Sequence, residues 1–563
     1  MKKLHFLLIL ISQLTFAQFT NFNTVKEVRV KNKGVIVSAH PLASEAGAKI
    51  LKMGGNAYDA IVATQYALTV VYPQAGNIGG GGFLVGVKNN GEKFTLDYRE
   101  TAPEKASRDM YLDKKGNANT DLSQNGRLAV GIPGSVAGIY ATLKHCNLPM
   151  NQLIQPAIDL AEQGFAITER EANLLNSLRD EFLKHNISKT AFVKNEKWKA
   201  GDLLVQKELA ETLKRIQKDG MKGFYEGKTA ELIVAEMKRG NGIISLKDLK
   251  NYKVAERKPM KFDYKGHEIV TMPLPSSGGI ILAQMLKMSS FENIEKYQHN
   301  SAKAVQIMIE AERRAFADRA EYMGDPAFIK DETAMLISDD YLKSRWKSYS
   351  PNQATRSGDV GKIINPTKES TETTHISVVD KDGNAAAVTT TLNGLYGSKV
   401  VVSGAGFFLN NEMDDFSIKP GVPNMFGAVG GEANKIEPGK RMLSSMTPTI
   451  VLKKGKPYII VGTPGGTTIP TSVYQSIVNT IDFKLSPNMA VNAPKFHHQW
   501  LPESVSVEKN FPETTISDLE KMNYKIERIS QIGRTEMIVI DEKGNIIGVA
   551  DGRGDDSVAV EAP

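Results

Sequence analysis

Residues 373–393 read "TTHISVVDKDGNAAAVTTTLN". Threonine and valine fill both arms of this stretch, and Asp380-Lys381-Asp382-Gly383-Asn384 supplies turn chemistry between them, a strong β-hairpin signal. Centring the turn on Asp382 sets Thr373 opposite Thr391. The two-residue strand period puts Asn393 on the same side of the sheet. The hairpin therefore brings two threonine hydroxyls together at its open end.

A threonine hydroxyl is a poor nucleophile unless a base takes its proton. An N-terminal threonine carries that base, because an α-amine titrates at about 7.7–8.0 and is partly neutral near physiological pH. Such an amine requires scission of the Glu372–Thr373 bond. The segment just upstream, residues 347–372, is rich in Ser, Pro, Gly and Asn with few apolar anchors, and reads as a long exposed loop. Attack of the Thr373 hydroxyl on the Glu372 carbonyl, followed by hydrolysis of the ester, would release the new terminus.

The first residues, "MKKLHFLLILISQLTFAQF", have a lysine pair, a short apolar run and a small residue before a polar turn. That is the pattern of a secretory signal over residues 1–17, so a periplasmic or secreted protein is expected. No later stretch is apolar for long enough to span a bilayer. A net charge of +7 over 563 residues, without a basic run, leaves no nucleic-acid footprint. One cysteine, Cys146, excludes an internal disulfide and a cysteine metal cluster.

Short strands and helices alternate through the first third. Residues 34–40 read as a buried strand and residues 44–56 as a helix capped by Ser44 and stopped by Gly54-Gly55. Residues 57–73 read as a longer helix ended by Pro73. The four-glycine loop 79–82 precedes two strands, the second delivering Arg99, and residues 150–340 are mainly helical, notably 304–324. The loop 79–82 and "GTPGGTT" lack the lysine and spacing of a phosphate loop, and tight packing near the site is the better reading of the former. His497 and His498 are adjacent, so in a strand they point to opposite faces and cannot easily share an ion. They and His375 read as structural, and no metal or other cofactor is implied.

Five stretches, "LDYRETAP", "TTHISVVDKDGNAAAVTTTLN", "FFLNNEMDDFSIKPGVPNMFG" (407–427), "GKRMLSSMTPTIV" (439–451) and "VGTPGGTTIPT" (461–471), resemble the gamma-glutamyltranspeptidases. The similarity runs from "HPLASEAGAKILKMGGNAYDA" to "GRGDD", in the family's order. The resemblance implies an α+β fold of the N-terminal nucleophile hydrolase type, a four-layer αββα sandwich. It also implies a precursor that cuts itself into a large subunit, residues 18–372, and a small subunit, residues 373–563, which form one globule.

The substrates so implied are glutathione, glutamine and other γ-glutamyl compounds, with water, an amino acid or a dipeptide as acceptor. By resemblance Thr373 is the nucleophile, Thr391 hydrogen-bonds it, and Gly465 and Gly466 form the oxyanion hole. Arg99 holds the substrate's α-carboxylate, a task suited to a planar fork, with Ser444 and Ser445 adding hydroxyls. Asn393, Glu412 and Asp415 surround the α-ammonium. Glu412 stands where some bacterial members have glutamine and others glutamate. Residues 419–441 match the lid loop of many bacterial members, with Phe426 where tyrosine is common. The nearest alternative is a cephalosporin (glutaryl) acylase of the same architecture, which needs no ammonium acceptors. An exported protein that only captures γ-glutamyl compounds is a further one.

Overall fold

The computed structural model describes residues 24–361 and 373–562. The signal segment and Glu372 lie outside the described residues. Two seven-stranded sheets carry the fold. One runs, in spatial order, Ser557–Val560, Val35–Ser38, Thr374–Val379, Ala385–Thr391, Gly81–Val87, Lys93–Asp97 and Ala255–Arg257. The other runs Glu27–Lys31, Asn545–Ala550, Glu536–Ile540, Lys456–Gly462, Thr449–Lys453, His267–Thr271 and Met260–Tyr264. Every pairing in both is antiparallel.

The strand period assigns each face to a layer. Val35, Val37, Phe83, Val85, Ala385 and Ala387 of the first sheet meet Val270, Ile450, Leu452, Ile460 and Ile538 of the second in one inter-sheet core. The alternate residues Ile36, Leu84, Ile376, Val378 and Val388 face outward and pack with helices Pro41–Lys52, Ala57–Val71 and Met150–Gln163. On the far side Ile269, Val451, Ile459, Val539 and Val549 pack with helices Gly278–Ser290, Ala302–Tyr322 and Thr468–Ile481. With both faces of both sheets buried, the architecture is the expected αββα sandwich.

The hairpin has the register read from its turn. Thr374 pairs with Thr390 and His375 with Thr389. Asp380 closes the turn by accepting from the N–H groups of Asp382 and Asn384, at 3.0 and 2.9 Å, and Gly383 takes the left-handed conformation there, at φ +89°.

Some boundaries differ from the sequence reading. The first helix starts at Pro41, not at Ser44, because proline favours the first helical position and His40 caps it. Ser44 instead ties strands together, bonding Ser38 Oγ at 2.6 Å and the Ser557 carbonyl at 2.8 Å. Residues 347–361 are not simply an exposed loop. Ser357–Val360 forms a helical turn, and buried Ser357 bonds Arg313 and the Trp500 carbonyl. Each sheet takes strands from both sides of position 373, so a cut there leaves two interleaved chains sharing one core.

Candidate active site

Thr373, His375, Ser377 and Val379 alternate onto the inter-sheet face, and Thr389 and Thr391 do so on the neighbouring strand. Thr373 is 3% exposed, and its Oγ1 lies 3.4 Å from that of Thr391. Thr391 Oγ1 also accepts the Asn393 N–H at 2.7 Å, and Asn393 sits at φ +75°. His375, next inward, bonds Thr389 and Ser377 at 2.8 and 3.1 Å, and burial holds its imidazole down to about 3. It is a neutral structural histidine, as expected.

The facing sheet delivers the second component. Strand Lys456–Gly462 ends opposite His375, where Gly462 lacks a Cβ that would lie 2.2 Å from the imidazole ring. The chain then turns through Gly465, at φ +136°, and Gly466, at φ +56°, into helix Thr468–Ile481. Neither glycine N–H donates to another described residue. Two available donors at the start of a 14-residue helix suit a negative charge beside strand Thr374–Val379.

The third component is charged. Arg99 follows strand Lys93–Asp97 and is 1% exposed, not the solvated arginine that commonly follows a strand. Its Nη1 bonds Glu412, its Nη2 bonds Asp415 and the Leu443 carbonyl, and its Nε bonds the Met442 carbonyl. Burial opposes the arginine's charge, but Glu412, Asp415 and Glu100 outweigh it and keep Arg99 protonated. Burial pushes Glu412 up to about 7 against the pull of Arg99, and raises Asp415 as well. Ser444 and Ser445 follow the segment that Arg99 grips.

One cavity is lined by Thr373, Thr391, Asn393, Arg99, Glu412, Asp415, Ser444, Ser445, Phe426 and Gly466. Of the residues expected at the site, Gly465 stands just behind this wall and Glu372 lies outside the described residues. Phe426 packs on the glycine turn, where a Gly466 Cβ would lie 2.5 Å from its ring. Asn424 links this segment to the charges by donating to Asp415 at 2.9 Å and accepting the Phe426 N–H at 3.0 Å.

Four polar residues at or beside the cavity were not picked out from sequence: Arg319, Asn424 and Thr467, which line it, and Glu100, fully buried beside Arg99. Glu100 was adjacent to a chosen residue, which is the signal for it. Arg319 had none, since charged residues on a helix read as its wet face. The four-glycine loop packs as expected. Added Cβ atoms at Gly79, Gly80 and Gly82 would meet the carbonyl oxygens of Phe408, Thr391 and Thr389 within 2.0–2.6 Å. His497 and His498 diverge, the first bonding Thr471 and Gln499, the second the Ser504 carbonyl. Among the described residues no group of His, Cys, Asp and Glu is arranged to hold a metal, and none of their helices is long and apolar enough to cross a membrane.

The family profile described as gamma-glutamyltranspeptidase matches residues 43–561. The chain belongs to the gamma-glutamyltranspeptidase family. The glutathione hydrolase proenzyme of Escherichia coli (strain K12) is 46% identical over 536 residues, covering 94% of this chain and 92% of that one. The crystal structure of Helicobacter pylori gamma-glutamyltranspeptidase superposes with a TM-score of 0.57 at 45% identity, over 60% of this chain and 96% of that chain. Cephalosporin acylase from Bacillus halodurans gives a TM-score of 0.83 at 27% identity, over 96% and 97% of the two chains. Transpeptidase and acylase thus share this fold, and the pocket must distinguish them.

Proposed function

We propose that the protein is a gamma-glutamyltransferase and glutathione hydrolase made as a precursor, with Thr373 as its nucleophile. The observation that carries this reading is the shared cavity: a threonine hydroxyl, backbone donors at a glycine turn, and an arginine interlocked with two carboxylates. A γ-glutamyl group carries an α-carboxylate and an α-ammonium on one carbon, so its site must offer both charges side by side or the desolvation cost prevails. The Arg99–Glu412–Asp415 cluster has that composition.

In maturation, Thr373 Oγ1 attacks the Glu372 carbonyl carbon, the peptide nitrogen leaves as the new α-amine, and water hydrolyses the resulting ester. Residues 18–372 and 373–563 become the two subunits, and residues 1–17 direct export to the periplasm or beyond. In turnover the α-amine takes the Thr373 proton as the oxygen attacks the γ-carbonyl. The oxyanion is held by the N–H groups of Gly465 and Gly466. Its collapse expels the amine, which receives the proton, and leaves a γ-glutamyl ester on Thr373. Water then yields glutamate, or an amino acid or dipeptide amine yields a new γ-glutamyl amide. Asn393, Glu412 and Asp415 receive the ammonium; Arg99, Ser444 and Ser445 receive the carboxylate; Phe426 covers the glycine turn.

Turnover of a chromogenic γ-glutamyl anilide, with and without a dipeptide acceptor, tests the reading. Thr373→Ala is expected to give one uncut band on a denaturing gel and no turnover; two fragments of normal size would refute it. The close superposition on cephalosporin acylase favours glutaryl-amide hydrolysis as the second reading. A glutaryl group has no ammonium to meet Glu412 and Asp415, so the γ-glutamyl anilide is expected to be preferred over the glutaryl one.

A further inference from the structure

Arg319 stands on helix Ala302–Tyr322, is 6% exposed and lines the same cavity. Its Nε donates to Ser277 Oγ at 3.1 Å, while its two terminal nitrogens make no hydrogen bond or ion pair with any described residue. Ser277 in turn donates to the Ser444 carbonyl from both its N–H, at 2.8 Å, and its hydroxyl, at 2.7 Å. The helix arginine is therefore fixed on the serine side of the pocket. Arg99 differs in one respect that matters. Each of its three nitrogens is already engaged, by Glu412, Asp415 and the carbonyls of Met442 and Leu443.

Burying a carboxylate needs donors that are not already spent. The charge count agrees. The cavity wall carries two arginines and two carboxylates, and a zwitterionic amino acid head keeps the ensemble neutral only while both arginines are present. Resting on the γ-glutamyl reading above, we propose that Arg319 is a second direct contact for the substrate's α-carboxylate, sharing it with Arg99, Ser444 and Ser445. Arg319 then determines specificity for acyl groups that bear an α-carboxylate.

The test compares two anilides in the matured enzyme. One is γ-glutamyl anilide; the other is 4-aminobutyryl anilide, which keeps the ammonium and lacks the α-carboxylate. Arg319→Gln is expected to raise KM for the γ-glutamyl substrate about 10- to 100-fold, the range for losing a hydrogen bond to a charged group. It should change kcat/KM for the aminobutyryl substrate by less than about 3-fold, with Arg319→Lys intermediate. Ser277→Ala keeps every charge and frees the Arg319 Nε, so it should raise the γ-glutamyl KM alone, by about 2- to 10-fold. It carries the test if Arg319→Gln arrives uncut. Equal losses on both substrates would overturn the proposal, because Arg319 would then act through Asp415 and the ammonium. An unchanged γ-glutamyl KM would also overturn it. Failure of the wild-type enzyme to cleave γ-glutamyl anilide at all would instead refute the function itself.

Discussion

Thr373 and Thr391 face each other with their hydroxyl oxygens 3.4 Å apart, one step beyond the paired rung of Thr374 and Thr390. Thr391 Oγ1 accepts the Asn393 N–H at 2.7 Å, so its own proton can point toward Thr373. The second threonine can thereby donate to the Thr373 oxygen. Thr391→Val keeps the shape and removes the hydroxyl. Both self-cleavage and kcat should fall about 10-fold, the upper end for one lost neutral hydrogen bond, while Thr391→Ser should stay close to wild type. The appearance of two fragments over time on a gel, and initial rates with γ-glutamyl anilide, measure the two effects.

The glycine turn makes a sharper contrast. Gly466 lies at φ +56°, which alanine can adopt at a cost of about 1–2 kcal/mol. Its added methyl would strike the Phe426 ring, a side chain that can be trimmed. Gly465 lies at φ +136°, and its methyl would also fall 2.2 Å from Thr468 Oγ1. Gly466→Ala should therefore lower kcat by about 10²-fold, as expected when an oxyanion donor is misaimed. Phe426→Ala in the same chain should recover much of that loss. Gly465→Ala should show no recovery with Phe426→Ala, since its own backbone forbids the change. Rates of the four variants in purified, cleaved form decide this.

Glu412 gives the pH dependence. Burial raises its carboxyl from 4.5 to about 7, against the opposing pull of Arg99. On the proposed reading it accepts the substrate's ammonium as a carboxylate, so kcat/KM for γ-glutamyl anilide should rise with pH through about 7. The Thr373 amine adds a second rise near 7.7–8.0. Glu412→Gln should abolish the lower step and leave the upper one. Stability runs the other way. A carboxyl with its folded pKa above its unfolded one favours the folded state below 4.5 and loses that contribution as pH rises from 4.5 to about 7. The difference in melting temperature between wild type and Glu412→Gln should shift across that window, with wild type relatively weaker at the alkaline end.

The hairpin was legible because turn chemistry and strand period fix a register without help from the rest of the chain. Thr373 opposite Thr391 follows from those local rules alone. The two-sheet architecture was not legible that way, since Ala385-Ala386-Ala387 has weak strand propensity and is explained only by burial between layers. The charged pocket was readable through the family motifs, which gave Arg99, Glu412 and Asp415 but not their mutual pairing. Arg319 escaped because helix Ala302–Tyr322 buries charged residues that a helical pattern assigns to water. Glu310, Arg313 and Arg314 on the same helix are fully or almost fully buried in their own ion pairs. The early start of the first helix turned on Pro41, a signal present in the sequence and outweighed there by Ser44.

Gly80 offers a test of how tightly the residues before position 373 hold Thr391 in place. Its N–H donates to Asn77 Oδ1 at 2.9 Å, and Asn77 Nδ2 donates to the Thr391 carbonyl at 2.9 Å. A Cβ at position 80 would lie 2.0 Å from that same carbonyl oxygen, a backbone atom held in the sheet. Gly80→Ala must therefore displace Thr391 or open the loop, and overpacking of this kind costs about 1–3 kcal/mol. Self-cleavage should slow along with a fall in melting temperature. Gly91→Ala is the matched control: at φ +88° it carries backbone strain, yet no atom lies within 4 Å of its Cβ. It should lower the melting temperature by a few degrees, as expected for about 1 kcal/mol, and leave the rate of fragment formation unchanged. Equal cleavage rates in the two variants would show that the glycine loop does not position Thr391.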